Sequence, residues 1–93
     1  MSKDYQQIAQ PSDYYEKIIG LKKADAMQAS AFFSLPDSCF VKRSVVAAIL
    51  NVSSNTMYLM EKNGGGPNFS KFGGRAVRYA KGDVVKWINE QKS

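Results

Sequence analysis

The sequence predicts a mainly α chain with a small β-hairpin: a helical extension, two short helices joined by a tight turn, the hairpin, and a closing helix. Three observations carry this. Apolar residues recur at helical spacing on both sides of Asn51-Val52-Ser53. A glycine pair, Gly73-Gly74, separates two stretches, 68–72 and 75–79, that alternate in polarity. Finally, Val84, Trp87 and Ile88 repeat at the spacing of one helix face.

Residues 1–11 are polar and aperiodic and are expected to form a disordered tail. Pro11-Ser12-Asp13 followed by Glu16 has the composition of a helix start, with Ser12 or Asp13 capping free amides and Glu16 in the positively polarised first turn. Tyr14, Ile18, Leu21, Met27 and Phe32 then recur at near-helical spacing as far as Leu35-Pro36, with Gly20 dividing the stretch. The expected N-terminal helical extension spans 12–39. Its apolar stripe either packs on the chain's own core or, through 12–35, meets a second copy or another partner.

From Phe40 the pattern sharpens. Ser44 is placed to cap a helix carrying Val46, Ala47, Ile49 and Leu50, and Asn51 stands where that helix stops, because asparagine tolerates the left-handed conformation of a C-terminal cap. Ser53 restarts a helix by accepting from the amide of Asn55 or Thr56, with Val52 and Met57 positioned as a hydrophobic staple. Met57 and Met60 share one side of this second helix, and Ser54, Asn55, Tyr58 and Lys62 share the other. So short a turn sets two helices at the steep angle of a helix-turn-helix. Gly64-Gly65-Gly66-Pro67 ends the second helix.

Counting outward from a two-residue Gly73-Gly74 turn, Phe72 opposes Arg75, Lys71 opposes Ala76 and Ser70 opposes Val77. This register predicts Phe72, Val77 and Tyr79 on an inner face and Lys71 and Arg78 on an outer one, with Arg75 at the tip. The last helix begins near Gly82-Asp83, and Trp87 is expected to anchor it in the core. Residues 40–93 are thus expected to form one unit of helix, turn, helix, hairpin and closing helix.

Charge is unevenly placed. Residues 1–40 carry four basic and five acidic side chains, whereas 41–93 carry nine basic and three acidic, giving +5 overall. A positive field concentrated on the second half points to a polyanionic partner, and counterion release would give it affinity for nucleic acid.

Other chemistries are poorly supplied. The chain has no histidine and one cysteine, Cys39, which excludes histidine-dependent triads, zinc fingers of two cysteines and two histidines, and an intrachain disulfide. The glycine-rich segment lacks the Gly-Lys pair of a phosphate loop and joins a helix to a hairpin, where a dinucleotide fingerprint needs a strand leading into a helix. Glu61, Asp83 and Glu90 have no paired spacing for acid-base work. No catalysis, cofactor or metal is expected. The N-terminus has no basic start followed by an apolar run, and nowhere does a membrane-length apolar segment occur, so the expected location is cytoplasmic.

The run from Pro67 through Gly73-Gly74-Arg75-Ala76-Val77-Arg78-Tyr79, followed by Asp83-Val84-Val85-Lys86-Trp87-Ile88, resembles the AlpA-type prophage regulators and related excisionases, which are similar to the MerR DNA-binding domain. Val46 to Ser53 and Thr56-Met57-Tyr58 fall in that family's two helices in the same order, so the resemblance covers 40–91. It implies a winged helix-turn-helix DNA-binding domain over 40–93 in a noncatalytic regulator or excisionase of a mobile element that binds double-stranded DNA, with the second helix in the major groove and the hairpin wing on the adjacent backbone or minor groove. Ser54, Asn55, Tyr58, Lys71, Arg75 and Arg78 occupy the matching places. With Arg43, Ser53, Thr56, Lys62, Gly73 and Gly74 they make up the candidate DNA-binding set. Leu59 stands where such proteins commonly carry a basic residue, which shifts the expected binding strength toward the wing. A reading of another class, a protein-interaction module using the N-terminal aromatic surface, predicts no salt-dependent binding to random duplex DNA.

Overall fold

The computed structural model describes residues 10–91. The extension is built from short helical pieces and not from one long helix. Tyr14–Ile19 is wound as a π-helix and stops at Gly20, whose φ of 92° lies in the left-handed region that glycine enters freely. Neither Ser12 nor Asp13 supplies the expected cap: Asp13 takes the N-cap position without a side-chain hydrogen bond. Helix α1 (Lys23–Ser30) and a single 3-10 turn (Phe32–Ser34) follow.

The expected apolar stripe holds in part and is corrected in part: Phe32 is buried and Tyr14 and Leu21 pack against the core, but Ile18 and Met27 do not. Tyr15, Ala26, Ala29 and Phe32 face inward, while Ile18 and Met27 are more than half exposed. Ile18 sits in a π-wound turn that does not keep the 3.6-residue period, and the break at Gly20 resets the phase before Met27, so a helical spacing counted through both points to the wrong side chains.

Strand β1 (Phe40–Lys42) runs directly into helix α2 (Arg43–Leu50). This strand was absent from the sequence expectation, and it moves the helix start: Lys42 is the N-cap and Ser44 lies inside the first turn without capping. The end of α2 is as expected. Asn51 adopts φ 59° and ψ 44°, and the bonds Val52 N to Ala47 O (3.0 Å) and Asn51 N to Ala48 O (3.2 Å) close a Schellman motif. Ser53 then caps helix α3 (Ser54–Asn63), its hydroxyl accepting from the Thr56 amide at 3.0 Å.

Strands β2 (Ser70–Phe72) and β3 (Ala76–Ala80) form the hairpin, and β1 pairs antiparallel with β3, giving the order β1-β3-β2. Helix α4 (Lys81–Glu90) begins at once. Its first amides are satisfied by the loop that closes the extension: Lys81 N bonds to Cys39 O at 2.8 Å and Gly82 N to Asp37 O at 3.0 Å. A Cβ on Gly82 would stand 2.9 Å from that of Asp37, so this close approach requires glycine.

One cluster of buried side chains joins all of these parts. Tyr15, Ala26, Ala29 and Phe32 from the extension pack with Val41, Val45, Val46, Met57, Val77, Tyr79 and Val84. Trp87 departs from its expected place. It is half-buried, and its indole N–H donates to the Gly65 carbonyl at 3.1 Å, so it pins the glycine-rich loop while Val84 supplies the core contact of α4. Two helices across a capped turn, a three-stranded antiparallel sheet and a closing helix make a winged helix-turn-helix.

Candidate nucleic-acid interface

The hairpin differs from its expected register by one residue. The turn bond runs from Arg75 N to Phe72 O at 3.2 Å, with Gly73 at φ 61° and Gly74 at φ 76°, and this local geometry matches a glycine-pair turn. The ladder, however, pairs Phe72 with Ala76, Lys71 with Val77 and Ser70 with Arg78. Arg75 is therefore an extra residue between turn and ladder, as in a β-bulge.

Because side chains alternate with period two, this single insertion turns the whole of β2 over relative to β3. Val77 and Tyr79 face the core as expected, and Arg78 faces away from it. Lys71, opposite Val77, now shares the side of the sheet that faces α3, and Phe72 moves to the other side. There its ring meets that of Phe40 edge-on at 5.4 Å between centroids. The two basic residues expected to act together on one outer face, Lys71 and Arg78, lie on opposite faces. Arg78 folds back to bond its neighbour's carbonyl, Val77 O, at 2.9 Å.

Turning Lys71 inward completes an open groove of about 400 Å³ between α3 and the wing. One wall carries Tyr58, Glu61 and Lys62 from α3. The other carries Phe69, Lys71, Arg75 and Val77, with Arg43 of α2 beside them. Four cations therefore converge on one concavity. Lys62, Lys71 and Arg75 line it without a salt-bridge partner among the described residues, Arg43 is paired with Glu61, and the concave geometry concentrates their field.

The remaining α3 residues divide by role. Met57 is fully buried and Met60 half-buried, which fixes the helix on the core through the side expected. Ser54, Asn55, Tyr58 and Lys62 are exposed on the opposite side. Ser53 and Thr56 are also exposed, but their hydroxyls bond each other at 2.9 Å while Ser53 caps the helix. Leu59, 44% exposed, follows Asn55 by four residues and so lies on the same outward face.

Arg43 is engaged within the chain. Its Nε donates to Glu61 Oε2 at 2.8 Å and its Nη2 to Oε1 at 2.6 Å, a bidentate pair between the start of α2 and the end of α3. Tyr79 donates its hydroxyl to the same Glu61 Oε2. Burial pushes the Glu61 carboxyl up, but the hydrogen bonds from Arg43 and Tyr79 and the nearby positive charge outweigh it and hold the group below the ordinary glutamate range. Burial, followed by the bond to Glu61, drives the Tyr79 phenol well above its ordinary value. The Arg43 charge also lies 5.6 Å from the centroid of the Tyr58 ring, and that of Lys62 lies 5.9 Å from it.

Sequence reasoning passed over Glu61. Its partners Arg43 and Tyr79 stand 18 residues to either side, a separation that carries no local signal. Among the described residues no group of His, Cys, Asp or Glu is arranged to hold a metal ion, and no helix is long and apolar enough to cross a membrane.

A family model described as a helix-turn-helix domain matches residues 44–92, slightly more than half of the chain. No curated protein and no solved structure matches.

Proposed function

From the premise that this chain belongs to the helix-turn-helix domain family, we propose that it is a sequence-specific regulator that binds double-stranded DNA with α3 in the major groove and the wing on the neighbouring backbone. The observation that carries this reading is the groove in which Lys62, Lys71 and Arg75 converge between α3 and the hairpin.

The roles divide by chemistry. Asn55, exposed on α3, has the paired donor and acceptor that fit an adenine edge, Ser54 reaches a base or a phosphate, and Leu59 beside them offers apolar contact to a thymine methyl. Tyr58 and Lys62 at the groove edge meet the phosphate backbone. Lys71 and Arg75 hold the second phosphate run, and Gly73-Gly74 let the backbone of the wing approach closely. Ser53 and Thr56 act through the helix cap, with the α3 N-terminus placed to face a phosphate. Arg78, on the far face of the sheet, contributes to the surrounding field without a direct contact.

The likeness of Gly73-Gly74-Arg75-Ala76-Val77 to the AlpA pattern favours a regulator carried by a prophage or another mobile element. An excisionase reading rests on a different observation: α3 presents Leu59 outward while the wing side of the groove carries Lys71 and Arg75, a balance suited to backbone binding and bending. Selection of bound fragments from a random DNA pool, followed by salt titration on the selected site, tests the common reading. Absence of salt-dependent duplex binding would overturn it. Mobility of circularly permuted fragments then separates the roles, since strong bending with stepwise loading on repeats supports an excisionase and one or two copies on nearly straight DNA support a regulator.

A further inference from the structure

Glu61 is an acid set among cations. Its side chain is 8% exposed, yet it lines the groove between Tyr58 and Lys62. A carboxylate there opposes the positive field that duplex binding uses, and it occupies the guanidinium of Arg43 with the fork geometry that a phosphate would otherwise accept. It also receives the hydroxyl of Tyr79, which lies on β3, the central strand of the sheet that carries the wing. One side chain thereby joins the start of α2, the recognition helix and the wing strand, and the arginine it holds lies against Tyr58.

We propose that Glu61 is a specificity-determining positioning residue: by holding Arg43 and Tyr79 it withholds an arginine from the phosphates and fixes the angle between α3 and the wing. The inference rests on the DNA-binding reading. Its physical content is an exchange of affinity for discrimination. A released Arg43 would add one phosphate contact on any sequence, strengthening binding to random duplex, whereas a held Arg43 and a fixed wing allow base contacts in one geometry only.

The test uses the full chain and two duplexes, the selected site and a random sequence, over a range of salt, with thermal unfolding in parallel. Glu61→Gln keeps the size of the side chain and removes its charge. The expected result is tighter binding to random duplex, a log-log salt slope steeper by about 0.9, and a site-to-random preference reduced about tenfold, the scale of one well-made base contact. Tyr79→Phe removes a single hydroxyl and leaves Arg43 held, so the preference should fall while the slope stays unchanged. In an Arg43→Met background, Glu61→Gln should no longer steepen the slope.

A lowered unfolding temperature with preference and slope unchanged in both Glu61→Gln and Tyr79→Phe would overturn the proposal and leave the network as a structural tie alone. Failure of the unaltered chain to bind either duplex would overturn the DNA reading beneath it, which is a distinguishable outcome.

Discussion

The one-residue bulge at Arg75 makes a prediction opposite to the one drawn from the sequence register. A two-residue turn would group Lys71 with Arg78, whereas the observed ladder puts Lys71 and Arg75 on the groove and Arg78 on the far face. Each phosphate contact contributes about 0.9 to the slope of log affinity against log salt. Replacing Lys71 and Arg75 together by alanine should therefore flatten the slope by about 1.8. Over a fourfold rise in salt, the affinity lost by the double variant should then be about twelvefold smaller than that lost by the unaltered chain. Arg78→Ala should leave the slope within error of the original. Fluorescence anisotropy on a labelled random duplex at a series of salt concentrations reads both quantities, and circular dichroism establishes that each variant folds. A flattened slope in Arg78→Ala, or an unchanged one in the Lys71 and Arg75 double variant, would refute the assignment of faces.

Other outcomes follow from the same geometry. Asn55→Ala should cost about 1–3 kcal/mol on the selected site and little on random DNA, as base-edge readout requires; equal losses on both would make Asn55 a backbone contact. Phe32→Ala, at a fully buried position in the extension, should cost about 3–5 kcal/mol in urea unfolding, a large share of the total stability of so short a chain. A cost near zero would detach the extension from the core. Asn51→Val forces a branched side chain to φ 59° and should destabilise by about 1–2 kcal/mol, whereas Asn51→Gly should be nearly neutral in thermal melts. Because the folded carboxyl of Glu61 sits below its unfolded value near 4.5, its stabilisation is complete above that pH and is lost as the pH falls through the folded value. The melting temperature of Glu61→Gln should accordingly fall less steeply with acid than that of the unaltered chain, and parallel profiles would count against the ion pair.

Much of the candidate interface was legible because it is written in local chemistry. Asn51 and Ser53 act on the nearest backbone groups, so the stop of α2 and the cap of α3 follow from residue type and position. The alternation of 76–80 and the polar and apolar sides of α3 follow from strand and helix periods and hold over one unbroken element. Where the facing of side chains was misread, a regular period was counted through an irregular segment. The π winding of Tyr14–Ile19 exposes Ile18, Gly20 resets the phase before Met27, and the extra residue Arg75 resets the phase of β2.

The sequence by itself determined a basic second half, two helices across a capped turn, a glycine-cornered hairpin and the outward polar face of α3, since each depends on interactions within a few residues. Tertiary structure decided the rest. Only packing brings Phe40–Lys42 beside β3 as a third strand, sends the Trp87 indole to the Gly65 carbonyl, and fits Gly82 against Asp37. Only the assembled core brings Arg43, Glu61 and Tyr79 together, because their contacts are made between elements whose relative placement comes from burying Met57, Val77 and Val84 in common. A carboxylate that is unremarkable in the sequence becomes the hub of the candidate site because the fold covers most of its side chain, limits the water that would otherwise satisfy it and sets an arginine and a tyrosine against it.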